Sequence, residues 1–193
     1  SEIASLVTRG RHELTSLAKR VDLALGDSEY NRQELETLGF KENGVFPIAI
    51  DTSRLTNAPR RPVLERILRD GLNNILFVGR LVPNKKLEDH IRLAEHYKRY
   101  VDPFHRFIFV GREDACPRYY GMLRSLMSEY RMTNERFWFV GQVPDEDLAA
   151  YYRTASAYVS MSEHEGFCVP LLEAMATDVP ILAYASTAVP ETL

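Results

Sequence analysis

One apolar phrase occurs three times after residue 74 and constrains the fold more than any other feature of the chain. Residues 75–80, 107–112 and 137–142 each consist of four apolar residues, then glycine, then a polar residue. The third residues of these phrases, Phe77, Phe109 and Phe139, are 32 and 30 residues apart, which is the length of one strand-helix unit. Uninterrupted apolar strands are typical of a parallel sheet with both faces buried under helices.

The segments between and after these strands complete an alternating pattern. Helical spacing predicts helices over Leu87–Tyr100, Tyr119–Tyr130 and Glu146–Thr154, and a further helix that begins at Pro170. Two more apolar runs, Ala157–Met161 and Ile181–Tyr184, predict a fourth and a fifth strand. The predicted fold class is therefore α/β, a doubly wound parallel sheet of the Rossmann-like kind.

The first 72 residues follow a less regular pattern. A helix is predicted over residues 1–20, a short strand over Val21–Gly26, and a second helix that Asp27 or Ser28 caps and Gly39 ends. Val45–Ile50 is expected to be extended. Residues 51–72 are rich in polar residues and proline around a short helical patch near Leu64–Leu68 and are interpreted as a linker. We therefore divide the chain into 1–50, a linker at 51–72, and a domain at 73–193.

Composition narrows the function. The 193 residues are 45% hydrophobic and 26% charged, as in a globular domain plus a piece of another, and the net charge of −3 gives no reason to expect a nucleic-acid partner. Cys116 and Cys168 form neither a disulfide framework nor a metal-knuckle spacing. Without an apolar targeting or spanning segment, a cytoplasmic protein is expected, and peripheral membrane contact through a missing region stays an open alternative.

The ends of the strands indicate where a ligand would bind. Gly79, Gly111, Gly141 and the loop at residues 163–166 all follow predicted strands. In parallel α/β sheets, ligands lie outside the carboxyl ends of the strands, so these positions predict one shared crevice. The alternative, that such glycines only make tight strand-to-helix turns, is expected to hold for at least one of them.

Cations follow the first of these strands. Arg80 comes directly after Gly79, and Lys85 and Lys86 precede the next helix, so a planar guanidinium and a flexible ammonium can hold a diphosphate from two directions. The alternative is a solvated lysine pair. The chain contains neither the glycine-rich dinucleotide fingerprint nor the P-loop motif, which argues against redox-cofactor binding and NTPase activity.

Two carboxylates lie on either side of the predicted turn between the fourth strand and the next helix. Glu165 and Glu173 are separated by seven residues, and Gly166 and Pro170 lie between them. Proline suits the first turn of a helix, Gly166 lets a ligand approach the backbone, and free N–H groups at a helix start attract an anion. Alternatively, Glu165 is a solvated loop residue, and Glu173 is a first-turn acid that complements the helix dipole.

Taken together, the run Phe77–Lys85 and the spaced pair Glu165 and Glu173 resemble the donor-binding lobe of the retaining glycosyltransferases of family four. The resemblance covers the chain from Asn74 to its end, and Ser28–Asn31 more weakly resembles the last part of the first lobe. It implies a two-lobed GT-B-type fold, transfer of a sugar from a nucleotide-sugar donor, and a chain that lacks most of the first, acceptor-binding lobe, with its catalytic histidine.

Carried over residue by residue, the resemblance assigns roles. Arg80 and Lys85 would bind the donor diphosphate, Glu165 the sugar hydroxyls and Glu173 the ribose, while the loop at residues 142–144 would lie near the base. The implied donor-binding set is Gly79, Arg80, Lys85, Lys86, Val143, Glu165, Gly166, Phe167, Cys168, Val169 and Glu173, with Arg80, Lys85 and Glu165 as the catalytic residues.

Further expectations follow from the same resemblance. Many relatives have glycine where Lys86 stands, so either lysine could contact the phosphate. No metal ion or cofactor is expected, and the expected partners are a nucleotide-diphosphate sugar and an acceptor sugar, lipid or other hydroxyl compound bound by the missing lobe. A non-catalytic nucleotide-sugar-binding module and another GT-B-type enzyme, such as a sugar-nucleotide epimerase, remain the alternatives.

Three other features are given structural interpretations. Cys168 and His164 are not interpreted as a thiol nucleophile with its base. His90 and His96 lie on an amphipathic helix and are expected at the surface. Trp138 is expected to be strand core rather than a platform for a nucleic-acid base.

Overall fold

The computed structural model describes residues 2–132 and 136–193. These residues form two compact units. Unit 1 comprises residues 1–49, the short loop Glu165–Cys168 and the C-terminal segment Thr187–Leu193, whereas unit 2 comprises Ile50–His164 and Val169–Ser186. Residues 51–72 therefore belong to unit 2.

Unit 1 is built around a small parallel sheet. Its elements are α1 (Glu2–Leu17), β1 (Ala24–Gly26), α2 (Glu29–Thr37) and β2 (Asn43–Val45), with β1 and β2 paired in parallel. Ser28 caps α2, because its hydroxyl oxygen accepts a hydrogen bond from the Asn31 N–H at 3.1 Å, and Gly39 follows the helix with a φ of +94°. Both capping predictions are thus confirmed, while the second strand ends at Val45, where the extended segment was predicted to begin.

Unit 2 alternates strands and helices in the predicted order. Its elements are α3 (Ser53–Thr56), α4 (Pro62–Leu68), β3 (Asn73–Val78), α5 (Leu87–Tyr100), β4 (His105–Val110), α6 (Pro117–Glu129), β5 (Phe137–Gly141), α7 (Asp145–Thr154), β6 (Ala157–Ser160), α8 (Val169–Ala176) and β7 (Ile181–Ala183); α9 (Val189–Thr192) follows in unit 1. None of the helices in the described residues is long and apolar enough to cross a membrane.

The sheet of unit 2 is parallel throughout, in the order β5-β4-β3-β6-β7. The three repeated phrases align across it, since Phe77 pairs with Phe109 and Phe109 pairs with Phe139. Phe77 and Phe109 pack into a core with residues of α5 and α6, and the alternate residues Leu76 and Ile108 are also buried. The strands are therefore covered on both faces, and the predicted α/β class is confirmed.

A buried arginine fixes the amino ends of these strands. Arg106 on β4 is 2% exposed, and its guanidinium donates to the Asn74 side chain and to both carboxylate oxygens of Asp70. The same group lies 4.0 Å from the ring centroid of Trp138. Trp138 is half-buried rather than part of the fully buried core. Its ring covers the Arg106 guanidinium in a cation–π contact.

The strand order also determines where a ligand would bind. Chain order runs outward from β3 to β5 on one side and from β6 to β7 on the other, so the switch point lies between β3 and β6. Open parallel sheets bind ligands at this point, outside the carboxyl ends of the strands. Gly79 and Arg80 follow β3 directly, and residues 161–164 follow β6.

Candidate functional site

Backbone packing shapes the carboxyl edge of the sheet. The Gly79 N–H donates to the Val110 carbonyl at 2.9 Å, and the Gly111 N–H donates to the Gly141 carbonyl at 2.8 Å. A Cβ atom added to Gly111 would lie only 1.9 Å from the Gly79 carbonyl oxygen. Gly111 is therefore required for packing between neighbouring turns, a structural reason for this glycine that needs no ligand.

Arg80 provides an exposed positive charge at the switch point. Its side chain is exposed, and among residues 2–132 and 136–193 no group forms a hydrogen bond or an ion pair with the guanidinium. An arginine in this state has all five N–H donors available to an anion. It is placed where the strand order predicts a ligand.

The two lysines differ in their surroundings. Lys85 ends a 3₁₀ turn over Pro83–Lys85 and is half-buried, whereas Lys86 begins α5 with a φ of +51°. The Lys86 Nζ lies 2.9 Å from a carboxylate oxygen of Glu163 and 3.8 Å from one of Glu88. The hydrogen bond with Glu163 raises the pKa of Lys86 above its ordinary value. The charge of Lys86 is thus balanced by carboxylates of this chain.

The same lysine segment is joined to the loop that follows β6. The Asn84 carbonyl accepts from the Glu163 N–H at 2.9 Å, and the Asn84 side-chain amide donates to the His164 carbonyl at 3.3 Å. Together with the ion pair of Lys86 and Glu163, these contacts hold the turns after β3 and β6 against each other. Hydrogen bonds and an ion pair within the protein therefore hold the two sides of the switch point together.

His90 supports this arrangement from inside the core. It is fully buried, and its two ring nitrogens lie 3.1 Å from the carbonyl oxygens of Lys86 and Val159. Burial lowers the pKa of His90 below its usual range. The expected surface position of His90 is wrong, although its spacing from Leu87, Ile91 and Ala94 on one face of α5 could have shown this. His96 is exposed, as expected.

Glu173 is a buried carboxylate. It is 3% exposed and lies in the second turn of α8, because the helix begins at Val169. One oxygen pairs with the guanidinium of Arg54, and the other accepts from the Tyr152 hydroxyl at 2.8 Å. The interpretation of Glu173 as a first-turn acid that complements the helix dipole is therefore wrong.

Arg54 extends this network toward the loop after β5. Its guanidinium also donates to a carboxylate oxygen of Asp145 at 2.6 Å, and Asp145 begins α7. Val143, in the loop between β5 and α7, is half-buried. Sequence analysis missed Arg54 and Tyr152, since Arg54 is 119 residues from Glu173 and no motif marks it.

The other sequence-predicted residues lie in unit 1, in the loop Glu165–Cys168. Glu165 is 8% exposed, so its interpretation as a solvated loop residue is wrong. Cys168 is buried with a φ of +66°, and Phe167 is half-buried. A Cβ added to Gly166 would lie 3.1 Å from the Asn31 amide nitrogen and 3.1 Å from an Asp27 carboxylate oxygen. In the direction of that Cβ, Gly166 therefore faces side chains of the protein itself.

The sequence model of the family described as "Glycosyl transferases group 1" matches residues 65–193, more than half of the chain. The chain belongs to this family. Its fold is that of the GT-B glycosyltransferases, so the predicted family and fold are confirmed, whereas the retaining mechanism and the donor-binding role stay predictions.

Two curated relatives match most of the chain. A GDP-mannose-dependent alpha-mannosyltransferase of Mycobacterium tuberculosis is 28% identical over 168 residues, 86% of this chain and 40% of its own length. Mannosylfructose-phosphate synthase of Agrobacterium fabrum is 27% identical over 83% of this chain and 35% of its own length. The chain thus spans less than half of these two relatives.

Solved glycosyltransferase structures superpose on most of the chain. The structure of Anabaena Alr3699/HepE in complex with UDP-glucose superposes with a TM-score of 0.80 at 18% identity, over 95% of this chain and 51% of that one. Sucrose-phosphate synthase from Thermosynechococcus elongatus superposes with a TM-score of 0.73 at 23% identity, over 90% of this chain and 43% of that one. At these identities, both similarities are evidence for the fold of the chain alone.

The described residues of this family member contain no group of three or more histidine, cysteine or acidic side chains arranged to hold a metal ion. Donor binding without a metal stays a prediction, as do the cytoplasmic location and the partners of the whole protein.

Proposed function

We propose that the whole protein is a retaining glycosyltransferase that moves a sugar from a nucleotide-diphosphate sugar to an acceptor hydroxyl, and that this chain supplies the donor-binding residues. The observation that carries the proposal is the exposed guanidinium of Arg80 at the switch point of the parallel sheet, a cation with all its donors available where such sheets bind ligands. Membership of the family supports the reaction class.

The donor diphosphate would be bound by Arg80 and Lys85. Lys86 stays an alternative to Lys85, and a phosphate that approached its ammonium would meet the carboxylates of Glu163 and Glu88 paired with it. In the reaction, the bond between the anomeric carbon and the phosphate oxygen breaks, and the nucleoside diphosphate leaves with the electron pair. The acceptor oxygen forms the new bond to the anomeric carbon, and its proton passes to the oxygen of the leaving diphosphate. Cations at the diphosphate stabilise the charge that develops there, so Arg80 and Lys85 are the proposed electrostatic catalysts.

Glu173 would accept hydrogen bonds from the ribose. A carboxylate has about four acceptor positions, and Arg54 and Tyr152 occupy one on each oxygen. Two positions remain for a pair of hydroxyl groups. Because Glu173 is nearly covered in this state, we propose that the Arg54 side chain shifts when the donor binds.

The remaining roles follow the family resemblance. Glu165 would accept from the hydroxyl groups of the transferred sugar as a positioning group rather than as a nucleophile, and the backbone of Gly166–Val169 would line the sugar and phosphates. Val143 would lie near the base. In the family the acceptor attacks from the face that the diphosphate leaves, so configuration at the anomeric carbon is retained.

The comparisons favour one class of donor. Several relatives carry the name mannosyltransferase, and one of them is named as GDP-mannose-dependent. A structural neighbour is titled as a complex with UDP-glucose. We therefore propose a hexose donor, with GDP-mannose as the first candidate and UDP-glucose as the second.

Calorimetric titration tests this proposal. The chain is titrated with GDP, UDP, ADP and NAD, with and without EDTA, and the titrations are repeated on Arg80→Ala and on Arg66→Ala, a matched exposed arginine on α4. We expect one nucleoside diphosphate to bind regardless of EDTA, and Arg80→Ala alone to weaken binding by about 1–3 kcal/mol, the range for charge-assisted contacts. Binding of NAD alone, or equal effects of the two substitutions, would contradict the proposal.

A further inference from the structure

The hydroxyl group of Thr187 bonds both polar backbone groups of Glu165. The Glu165 N–H donates to the Thr187 Oγ1 at 2.8 Å, and the same hydroxyl donates to the Glu165 carbonyl oxygen at 2.7 Å. The Ala188 N–H also points to that carbonyl, at 3.3 Å. One side chain therefore binds both polar backbone groups of Glu165, and it fixes the direction in which the residue leaves the loop.

Thr187 itself adopts an unusual backbone conformation. Its φ is +48°, in the left-handed region that branched side chains rarely occupy. Strained positions of this kind persist when the surroundings overdetermine them, and they concentrate at ligand sites. The two hydrogen bonds between its hydroxyl and the Glu165 backbone help to hold Thr187 in this state.

The segment that carries Thr187 is anchored at both ends of α9. At the far end of α9, the Thr192 hydroxyl donates to the Phe167 carbonyl, so the loop is bonded at two places to the same short segment. The Glu191 carboxylate accepts from the N–H groups of Glu29 and Tyr30, each at 2.7 Å. These are the first two residues of α2, whose N–H groups lack partners within the helix and attract negative charge.

We infer that Thr187 is a positioning residue for Glu165, and that Glu191 anchors the segment that carries Thr187 to the start of α2. The Thr187 hydroxyl contacts the backbone of Glu165, so it affects the binding of the sugar part of the donor more than the binding of the nucleoside diphosphate. The inference rests on the proposed function in one respect, the role of Glu165 toward the sugar hydroxyls.

Two substitutions separate this role from a merely structural one. Thr187→Val keeps the branched shape and removes the hydroxyl, whereas Thr187→Ser keeps the hydroxyl. Each variant is titrated with GDP and GDP-mannose, and with UDP and UDP-glucose. We expect Thr187→Val to lose about 10-fold in affinity for the nucleotide sugar, as for one lost polar contact, with a clearly smaller loss for the nucleoside diphosphate, and Thr187→Ser to restore the wild-type ratio of the two affinities.

Hydrogen exchange gives a readout that needs no ligand. The Glu165 amide should exchange faster in Thr187→Val than in the wild type or in Thr187→Ser, and Glu191→Gln should show a smaller change in the same direction, since an amide offers one acceptor oxygen instead of two.

The outcomes distinguish the two proposals. If the wild type binds no nucleotide, the proposed function fails, and hydrogen exchange still decides the position of Glu165. If Thr187→Val weakens nucleotide and nucleotide sugar equally, changes neither, or leaves the Glu165 amide protected, the inference is wrong.

Discussion

The carboxyl edge of the large sheet and the Glu165–Cys168 loop are fixed by different means. At the edge, backbone packs against backbone, as between Gly111 and Gly79, and charged side chains such as Lys86 and Arg54 pair with carboxylates. In the loop, the space beside Gly166 is bounded by the side chains of Asp27 and Asn31. Backbone contacts cannot adjust without moving a strand, whereas side chains can change rotamer.

This difference has a meaning under the proposed function. A diphosphate is common to all nucleotide sugars, and an edge whose backbone is fixed by packing suits a group that does not vary. The hydroxyl pattern of the sugar differs between donors. A loop bounded by side chains can be adapted to it by substitutions that leave the sheet intact.

The largest effect is expected for Gly111→Ala. The added Cβ would overlap the Gly79 carbonyl, in a backbone region that is largely restricted to glycine, so the free energy of unfolding should fall by about 3 kcal/mol or more in urea denaturation. Gly166→Ala should cost about 1 kcal/mol or less, because its neighbours at 3.1 Å are side chains.

Gly141→Ala is the control for this pair of substitutions. Gly141 has a φ of +70° and no atom within 4 Å of the added Cβ, so only the conformational cost of about 1–2 kcal/mol remains. If Gly111→Ala costs no more than Gly141→Ala, the edge is not fixed by backbone packing, and the contrast between the two regions fails.

An intermediate effect is expected for Arg54→Met. Met keeps much of the length of the side chain and leaves Glu173 buried with the Tyr152 hydroxyl as its remaining side-chain partner among the described residues. Because the arginine side chain is 37% exposed, we discount the loss to about 1–2 kcal/mol of unfolding free energy, measured by urea denaturation.

Arg66→Met, at an exposed arginine on α4, serves as the control and should change stability by about 0.5 kcal/mol or less. Equal values for the two variants would show that the ion pair with Glu173 does not stabilise this edge.

The smallest effect is expected at Lys86. Lys86→Gly removes both the left-handed strain and the ion pair with Glu163, whereas Lys86→Met removes only the ion pair. Thermal unfolding should therefore show the glycine variant to be more stable than the methionine variant by about 1 kcal/mol. A methionine variant as stable as the glycine variant would mean that the backbone at position 86 carries no strain.

Much of the fold follows from local patterns that a sequence displays directly. The aligned phrases around Phe77, Phe109 and Phe139 predict a parallel sheet, because residues in continuous apolar strands must be buried on both faces. Ser28 and Gly39 mark the ends of α2 for equally local reasons. Arg80 was predicted to lie at the carboxyl edge of the sheet because it closely follows a strand, and the ends of parallel strands meet at that edge.

The sequence by itself thus determined the α/β class, the parallel sheet and the residues that directly follow its strands. The tertiary structure alone decided what these residues contact. Arg54 meets Glu173 across 119 positions, and Thr187 meets Glu165 across 22. Neither pair has a periodicity or a motif, because the partners come together only when separate elements pack. The physical reason is that a hydrogen bond depends on distance in space, whereas a sequence pattern records distance along the chain.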